Sequence, residues 1–276
     1  NHPERNTWQI ATELPCVNGQ DEFRPDITIL INGIPLAFIE VKRPNNKDGI
    51  QAEYDRMNRR VQNRKFSRFI NMTQLMVFSN NGEYDDNEAV PLEGAYYATI
   101  GYEKLFFSHF REEDDSIFTR VAPLDETIES KILTDTNLVT IKSAPDYQTN
   151  TSPMTPTHRM LTSLFSKDRL LFLLRYGLAY VERTDDNGIK HLEKHVMRYP
   201  QIFATKAIEE KLNHNDKHGV IWHTQGSGKT ALAYFNVRYL TDYYQKQGII
   251  AKFYFIVDRL DLLKQAADEF RARGLH

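Results

Sequence analysis

Arg24-Pro25-Asp26-Ile27-Thr28-Ile29-Leu30-Ile31-Asn32-Gly33-Ile34-Pro35-Leu36-Ala37-Phe38-Ile39-Glu40-Val41-Lys42 is the stretch on which the reading of this chain turns. Two apolar, β-branched runs flank Asn32-Gly33, a dipeptide suited to a two-residue turn with both residues at positive φ. The pattern predicts a β-hairpin. Side chains alternate along a strand, so Glu40 and Lys42 share one face and Val41 takes the other. The antiparallel return brings Asp26 beside Glu40. Two carboxylates and one lysine then converge at the edge of a sheet.

Such a trio has a chemical use. Mg²⁺ needs only one or two carboxylates and keeps several waters. The ion polarises a phosphodiester and lowers the pKa of a bound water, while a nearby lysine orients the nucleophile or offsets charge building on the phosphate. Asp26 and Glu40 are therefore candidate metal ligands, and Asp26, Glu40 and Lys42 a candidate catalytic set. The alternative is a surface hairpin whose charged ends are merely solvated. Glu40 and Lys42 terminate the apolar run Leu36-Ala37-Phe38-Ile39, with Pro25-Asp26 one hairpin upstream, and this favours a nuclease.

Pro25-Asp26 followed by Glu40-Val41-Lys42 resembles the PD-(D/E)xK nuclease signature. The longer string Ile39-Glu40-Val41-Lys42-Arg43-Pro44 resembles the nuclease core of the restriction (R, or HsdR) subunit of type I restriction-modification enzymes.

The rest of the chain bounds the reading. Its 276 residues can hold one large domain or two. Lys+Arg of 35 against Asp+Glu of 37 gives a net charge of −2, so any nucleic-acid site must be local. Hydrophobic content of 41% indicates a globular protein with real cores. The single cysteine, Cys16, excludes an internal disulfide framework and fits a reducing cytosol; a buried, small apolar role suits it better than catalysis. No segment approaches the ~18 uninterrupted apolar residues of a transmembrane helix, so no membrane partner is expected. A signal-peptide apolar core and internal repeats are absent as well. The start at Asn1 and the stop at Gly274-Leu275-His276 after a helical pattern suggest a piece of something longer.

Residues 7–17 read as a strand, with Pro15 at an edge or bulge. After Arg43-Pro44-Asn45-Asn46 a helix is predicted over about 50–65, with Ile50, Tyr54, Met57 and Val61 on its apolar face. Arg56, Arg60 and Arg64 follow at i, i+4 and i+8; they form either a solvated face or a row that tracks a phosphate backbone. The resembled nucleases often carry a Gln-xxx-Tyr element here, and this chain has no strict copy: Gln62 is followed by Phe66. Leu75-Met76-Val77-Phe78-Ser79 and Ala95-Tyr96-Tyr97-Ala98-Thr99-Ile100 read as strands. The acidic runs Asp85-Asp86 and Glu112-Glu113-Asp114-Asp115 read as solvated loops. Residues 121–157 read as an extended connection with a short helix near 127–133. Residues 160–181 are strongly apolar and suited to core or inter-domain packing. Asp185-Asp186-Asn187-Gly188 is a turn and the candidate domain boundary.

A second motif follows. Gly219-Val220-Ile221-Trp222 reads as a short strand, then come His223-Thr224-Gln225-Gly226-Ser227-Gly228-Lys229-Thr230 and a helix from Ala231 to Tyr244. Strand, glycine loop and helix together are the setting of a phosphate-binding loop. Thr224, Gly226, Ser227 and Gly228 would cradle phosphates with backbone N–H groups at a helix N-terminus. Lys229 would reach the β/γ-phosphates of ATP, and Thr230 would ligate its Mg²⁺. His223 stands where the first glycine of the pattern belongs, a position at which superfamily 2 helicases vary. In many such helicases a glutamine upstream reads the adenine, and Gln201 sits at that distance. Phe253-Tyr254-Phe255-Ile256-Val257 reads as a buried parallel strand. The following Asp258-Arg259 is similar to helicase motif Ia, which touches the DNA backbone; a helix cap plus a surface charge is the other reading of Arg259.

The resemblance covers nearly the whole chain. It implies an α/β protein with a mixed-sheet PD-(D/E)xK endonuclease domain over residues 1–185, including a helical or extended connector over about 121–185. Residues 186–276 would begin the first RecA-like, parallel-sheet helicase domain, with the Walker B acid and the arginine finger lying further on. It further implies a cytoplasmic prokaryotic subunit that cleaves unmodified double-stranded DNA with Mg²⁺ and translocates it with ATP, alongside methylation (M) and specificity (S) subunits. The alternatives are another nuclease-helicase fusion in DNA repair, or a DNA-binding or assembly module with an inactive nuclease fold.

Overall fold

The hairpin forms around Asn32 and Gly33, whose φ values of 54° and 78° are both positive. In this computed structural model, which describes residues 2–43, 49–84, 94–101, 104–112 and 114–275, five strands precede the first long helix. They are β1 (Trp8–Thr12), β2 (Cys16–Asn18), β3 (Asp21–Phe23), β4 (Ile27–Ile31) and β5 (Ile34–Val41). Pro44-Asn45-Asn46, Asp85-Asp86 and Glu113, singled out above, lie outside the described residues. The predicted strand over 7–17 is two: β1 pairs with β4 at the sheet edge, and the chain turns away at Glu13, with φ of 48°, before Pro15.

The register of the hairpin carries a consequence for the site. Ile31 pairs with Ile34 and Leu30 with Pro35, but Ile29 pairs with Ala37, so Leu36 is an extra residue in β5. This β-bulge shifts everything beyond it by one position. Thr28 then faces Phe38 and Ile27 faces Ile39, and one step further along the same register Asp26 falls opposite Glu40. Paired at the same length without the bulge, Asp26 would face Ile39, on the wrong side of the sheet from Glu40.

A parallel pair needs a crossover connection. Here α1 (Gly49–Gln62) and α2 (Ser67–Met72) lead from β5 to its parallel neighbour β6 (Leu75–Ser79). β7 (Ala95–Ala98) and β8 (Ser108–His109) complete a six-stranded mixed sheet in the order β1-β4-β5-β6-β7-β8. Its two faces follow the period-2 alternation. Phe38, Met76, Phe78, Tyr96 and Ala98 pack under Ile50, Met57, Phe66 and Ile70 from the crossover.

The connector is more helical than its composition suggests. α3 (Glu126–Asp135) is capped by Asp125, whose carboxylate accepts from the Thr127 and Ile128 N–H groups, and α4 (Pro145–Asn150) follows. The apolar stretch then folds into α5 (Pro156–Leu164), α6 (Lys167–Phe172) and β9 (Leu178–Thr184), which pairs with β10 (Lys190–Val196). The Asp185–Gly188 turn joins these two strands, so backbone pairing crosses the expected boundary. Beyond it come α7 (Tyr199–Asn213), α8 (Lys229–Gln245) and α9 (Leu260–Ala272). Met160, Leu164, Phe172, Ile202, Phe235 and Tyr239 from these helices pack on the other sheet face, against Ala37, Ile39, Leu75, Val77 and Tyr97. One core therefore joins both parts of the chain.

Two predicted strands do not form. Residues 219–222 and 253–257 are unpaired, and Val220, Trp222, Tyr254 and Ile256 are more than four-fifths exposed. Apolar runs of this kind belong inside a parallel sheet, covered on both faces; neither meets a pairing neighbour among the described residues.

The fully buried Tyr97 donates its hydroxyl to the Met197 carbonyl at 2.6 Å, from the sheet to the segment after β10. Tyr97→Phe leaves that acceptor without its partner and is expected to cost about 1–3 kcal/mol in chemical denaturation.

Candidate functional sites

Alternation along β5 sends Phe38, Glu40 and Lys42 to the face covered by α1. Phe38 enters the core; Glu40, 3% exposed, follows it, and Lys42 stands at the rim. Asp26 Oδ2 accepts from the Val41 N–H at 2.7 Å, which fixes its carboxylate across the strand end. Lys42 Nζ lies 3.3 Å from Glu40 Oε2 and 3.8 Å from Asp26 Oδ2. The structure thus brings Asp26, Glu40 and Lys42 together.

Helix α1 adds Glu53, which sequence reasoning missed, and gives the predicted Arg60 a different setting. Ile50, Glu53, Met57 and Arg60 recur at spacings of three and four, so Glu53 and Arg60 share the inward stripe with the two core residues. A charged residue at an inward helical position was the signal available. Glu53 is 1% exposed, and its oxygens lie 3.0 Å from Arg56 Nη1, 3.4 Å from Lys42 Nζ and 3.6 Å from Arg60 Nη1. Arg60 also reaches Glu40 Oε1 at 3.4 Å, and its guanidinium stacks over Phe23 at 4.7 Å. The expected arginine row is therefore not one surface. Arg60 turns inward, Arg56 pairs with Glu53, and Arg64 is exposed in a short 3₁₀ turn beyond the end of α1.

Burial raises the Glu40 carboxyl to about 7, helped by the Glu53 and Asp26 carboxylates and opposed by Lys42 and Arg60. Burial acts to lower Lys42, but Glu53, Glu40 and Asp26 outweigh it and hold the ammonium above its ordinary value. Among the described residues no three metal-ligating side chains cluster. Two hard carboxylates converging on one point suit Mg²⁺, which retains much of its water, and not a closed protein cage.

The second site is built mostly from backbone. Gly226 and Gly228 have φ of 76° and 83°, and Gly228 leads directly into α8 at Lys229. Lys229 Nζ donates to the carbonyls of His223 and Thr224 at 3.1 and 3.0 Å, folding its charge over the loop. Ser227 Oγ donates to the Thr224 carbonyl at 2.8 Å. Thr224 and Thr230 are exposed, the latter in the first turn of α8. Gln201, 3% exposed, has both amide ends engaged: Nε2 donates to the Gly228 carbonyl at 3.0 Å, and Oε1 accepts from the Arg198 N–H at 2.9 Å. It supports the loop, and contact with a base would require it to release Gly228. A Cβ at position 228 would lie 2.7 Å from Gln201 Nε2. Gln201, Ser227 and Gly228 line a cleft of about 1450 Å³ shared with Arg198, Tyr199 and His109. Arg259 is the N-cap residue of α9, with an exposed side chain 3.8 Å from Asp261.

A carboxylate-lysine cluster at the end of a mixed sheet and a glycine loop opening a long helix are thus the two candidate sites of the class expected of a nuclease joined to a nucleotide-binding module. Comparison with known families agrees with that class. Residues 1–86 match the family described as type I restriction enzyme R protein N terminus, and residues 194–275 match type III restriction enzyme, res subunit. The putative type I restriction enzyme MjaVIIP endonuclease subunit of Methanocaldococcus jannaschii is 28% identical, over 98% of this chain and 21% of its own length. The type I restriction enzyme SsaAORF53P endonuclease subunit of Staphylococcus saprophyticus is 27% identical, over 96% of this chain and 22% of its own. These similarities support an N-terminal fragment of a type I restriction enzyme R subunit, and the chain spans about a fifth of the length of these relatives. No helix among the described residues is long and apolar enough to cross a membrane.

The raised Glu40 fixes the sign of a pH effect. Its folded value, about 7, lies above its unfolded value, so the folded state holds a proton that the unfolded chain has lost, and stability falls as pH rises through this window. In metal-free protein, Glu40→Gln should gain on the parent between pH 5 and pH 8 by about 2–3 kcal/mol, measured by urea denaturation at each pH.

Proposed function

We propose that residues 26–42 form the cleavage centre of a Mg²⁺-dependent PD-(D/E)xK endonuclease acting on unmodified double-stranded DNA. Residues 223–230 form the phosphate-binding loop of an ATP-driven translocase. The two belong to one R subunit, working with methylation and specificity subunits, with a nuclease part over 1–185 and the start of a RecA-like motor over 186–276. The observation that carries the reading is the convergence of Asp26 and Glu40 on Lys42 Nζ within 3.8 Å, at the end of a mixed sheet.

Asp26 and Glu40 would hold the ion, which when bound supplies Lewis-acid polarisation of a phosphodiester and an activated water. Lys42 keeps its proton and places a positive charge where charge builds on the phosphate. Gly226 and Gly228 free backbone N–H groups for the β-phosphate at the α8 N-terminus. Lys229, now on its own loop carbonyls, would hold the phosphates of a bound nucleotide, Thr230 would offer a hydroxyl to its ion, and Gln201 would brace the loop or contact the adenine. Arg56, Arg64 and Arg259 keep exposed guanidinium groups for a DNA backbone.

In the complete enzyme, Asp26→Ala, Glu40→Ala or Lys42→Ala should lower DNA cutting by about 10²-fold or more while ATP hydrolysis continues. Normal cutting by Glu40→Ala removes the assignment. Lys229→Ala should abolish ATP hydrolysis, and with it cutting, if cleavage waits on translocation. Gly228→Ala forces a Cβ onto Gln201 and an L residue into left-handed backbone, so it should weaken ATP binding by about tenfold or more.

A further inference from the structure

Glu53 is a buried carboxylate to which the cleavage reaction assigns no part. It is 1% exposed, and neither oxygen has a hydrogen bond; its contacts are ionic, to Arg56, Lys42 and Arg60. Burying such a charge costs several kcal/mol unless it is well compensated. Two of its three cations, Lys42 and Arg60, are also the two that sit on Glu40, at 3.3 and 3.4 Å. Three carboxyl groups (Asp26, Glu40, Glu53) therefore face three cations (Lys42, Arg56, Arg60), and the cluster is neutral when all three are ionised.

A divalent cation at Asp26 and Glu40 disturbs that balance. Lys42 and Arg60 compete with it for the Glu40 oxygens, and like charges this close repel strongly in a buried setting. Among the described residues, Glu53 is the other buried carboxylate within ion-pair reach of both. We propose that Glu53 is a positioning residue that takes Lys42 and Arg60 off Glu40, so that Glu40 is released for a divalent metal ion while Lys42 stays beside it. Arg60 is then the gatekeeper of Glu40, and Glu53 the place to which it withdraws. This rests on the metal-centre reading above.

The test is Mn²⁺ binding by calorimetry to the full-length subunit without nucleotide. Glu53→Gln should weaken Mn²⁺ by about tenfold, because both cations are left with Glu40 and Asp26 alone. Arg60→Gln should bind Mn²⁺ more tightly than the parent, and the Glu53→Gln/Arg60→Gln pair should return to near the parent value. Asp55→Asn removes the same charge from an exposed position on α1 that touches neither cation, and should change affinity little. Parent-like binding by Glu53→Gln overturns the proposal. So does a loss that Arg60→Gln does not restore, which would mark a merely structural role. If Glu53→Gln does not fold, unchanged Mn²⁺ affinity in Arg60→Gln is itself sufficient to overturn it. Glu40→Gln separates the two readings: binding that survives it removes the metal centre, whereas binding lost there but insensitive to Glu53 and Arg60 removes the positioning role alone.

Discussion

Two carboxylates are buried under one helix, and the position of that helix depends on how their charge is met. Glu40 on β5 and Glu53 on α1 are almost fully excluded from water. Unpaired, they would keep α1 off the sheet, since ionised groups in a poorly polarisable interior repel one another and miss their hydration. Lys42, Arg56 and Arg60 make the seam tolerable. Ile50 and Met57, on the same stripe of α1, supply apolar burial on either side of it. Hydrophobic packing thus draws the crossover helix down, while the charges allow only the placement in which cation and anion meet.

The opposite face of the sheet is ordinary core, and it links the two sites. Ala37, Ile39, Leu75, Val77 and Tyr97 pack against residues of α7 and α8, and α8 begins at the glycine loop. A single sheet separates the carboxylate centre from the helix that carries Lys229. The two sites rely on different means. One concentrates side-chain charge in a dry seam; the other presents backbone groups in left-handed conformations that only glycine adopts cheaply.

Much of the first site was legible because its cues are local. Asn32-Gly33 fixes the turn, alternation assigns Glu40 and Lys42 to one face, and 3.6-residue periodicity finds Ile50, Met57 and their neighbours. Glu53, and the inward placement of Arg60, were missed because a charge on an apolar stripe reads as an interruption until a partner strand supplies its counter-ion. The three arginines do not share one surface for a related reason: equal spacing of Arg56, Arg60 and Arg64 matters only while the helix lasts, and α1 ends at Gln62. Residues 219–222 and 253–257 have strand composition, but a strand is a property of a pair, and composition says nothing of whether a neighbour is present. Tyr97 bonding to Met197, a hundred residues away, has no local signature.

The extra residue at Leu36 makes register, more than side-chain identity, the fragile property of this hairpin. A strand has two sides, so the site depends on the register of β5 against β4 beyond the turn, which residue count and bulge set together. Substitutions inside the hairpin leave that register alone, and a family could drift far in composition along β4 and β5 without harm. Loss of Leu36 itself only removes the bulge and leaves Asp26 opposite Glu40, whereas loss or gain of one residue elsewhere with the bulge kept moves Asp26 opposite Ile39 or Val41, with every strand still formed and the core still filled. Such a protein would be well folded and chemically mute. Divergent relatives of this chain should therefore vary freely in the letters of the hairpin and keep its register, a one-residue shortening being tolerated where it removes the bulge.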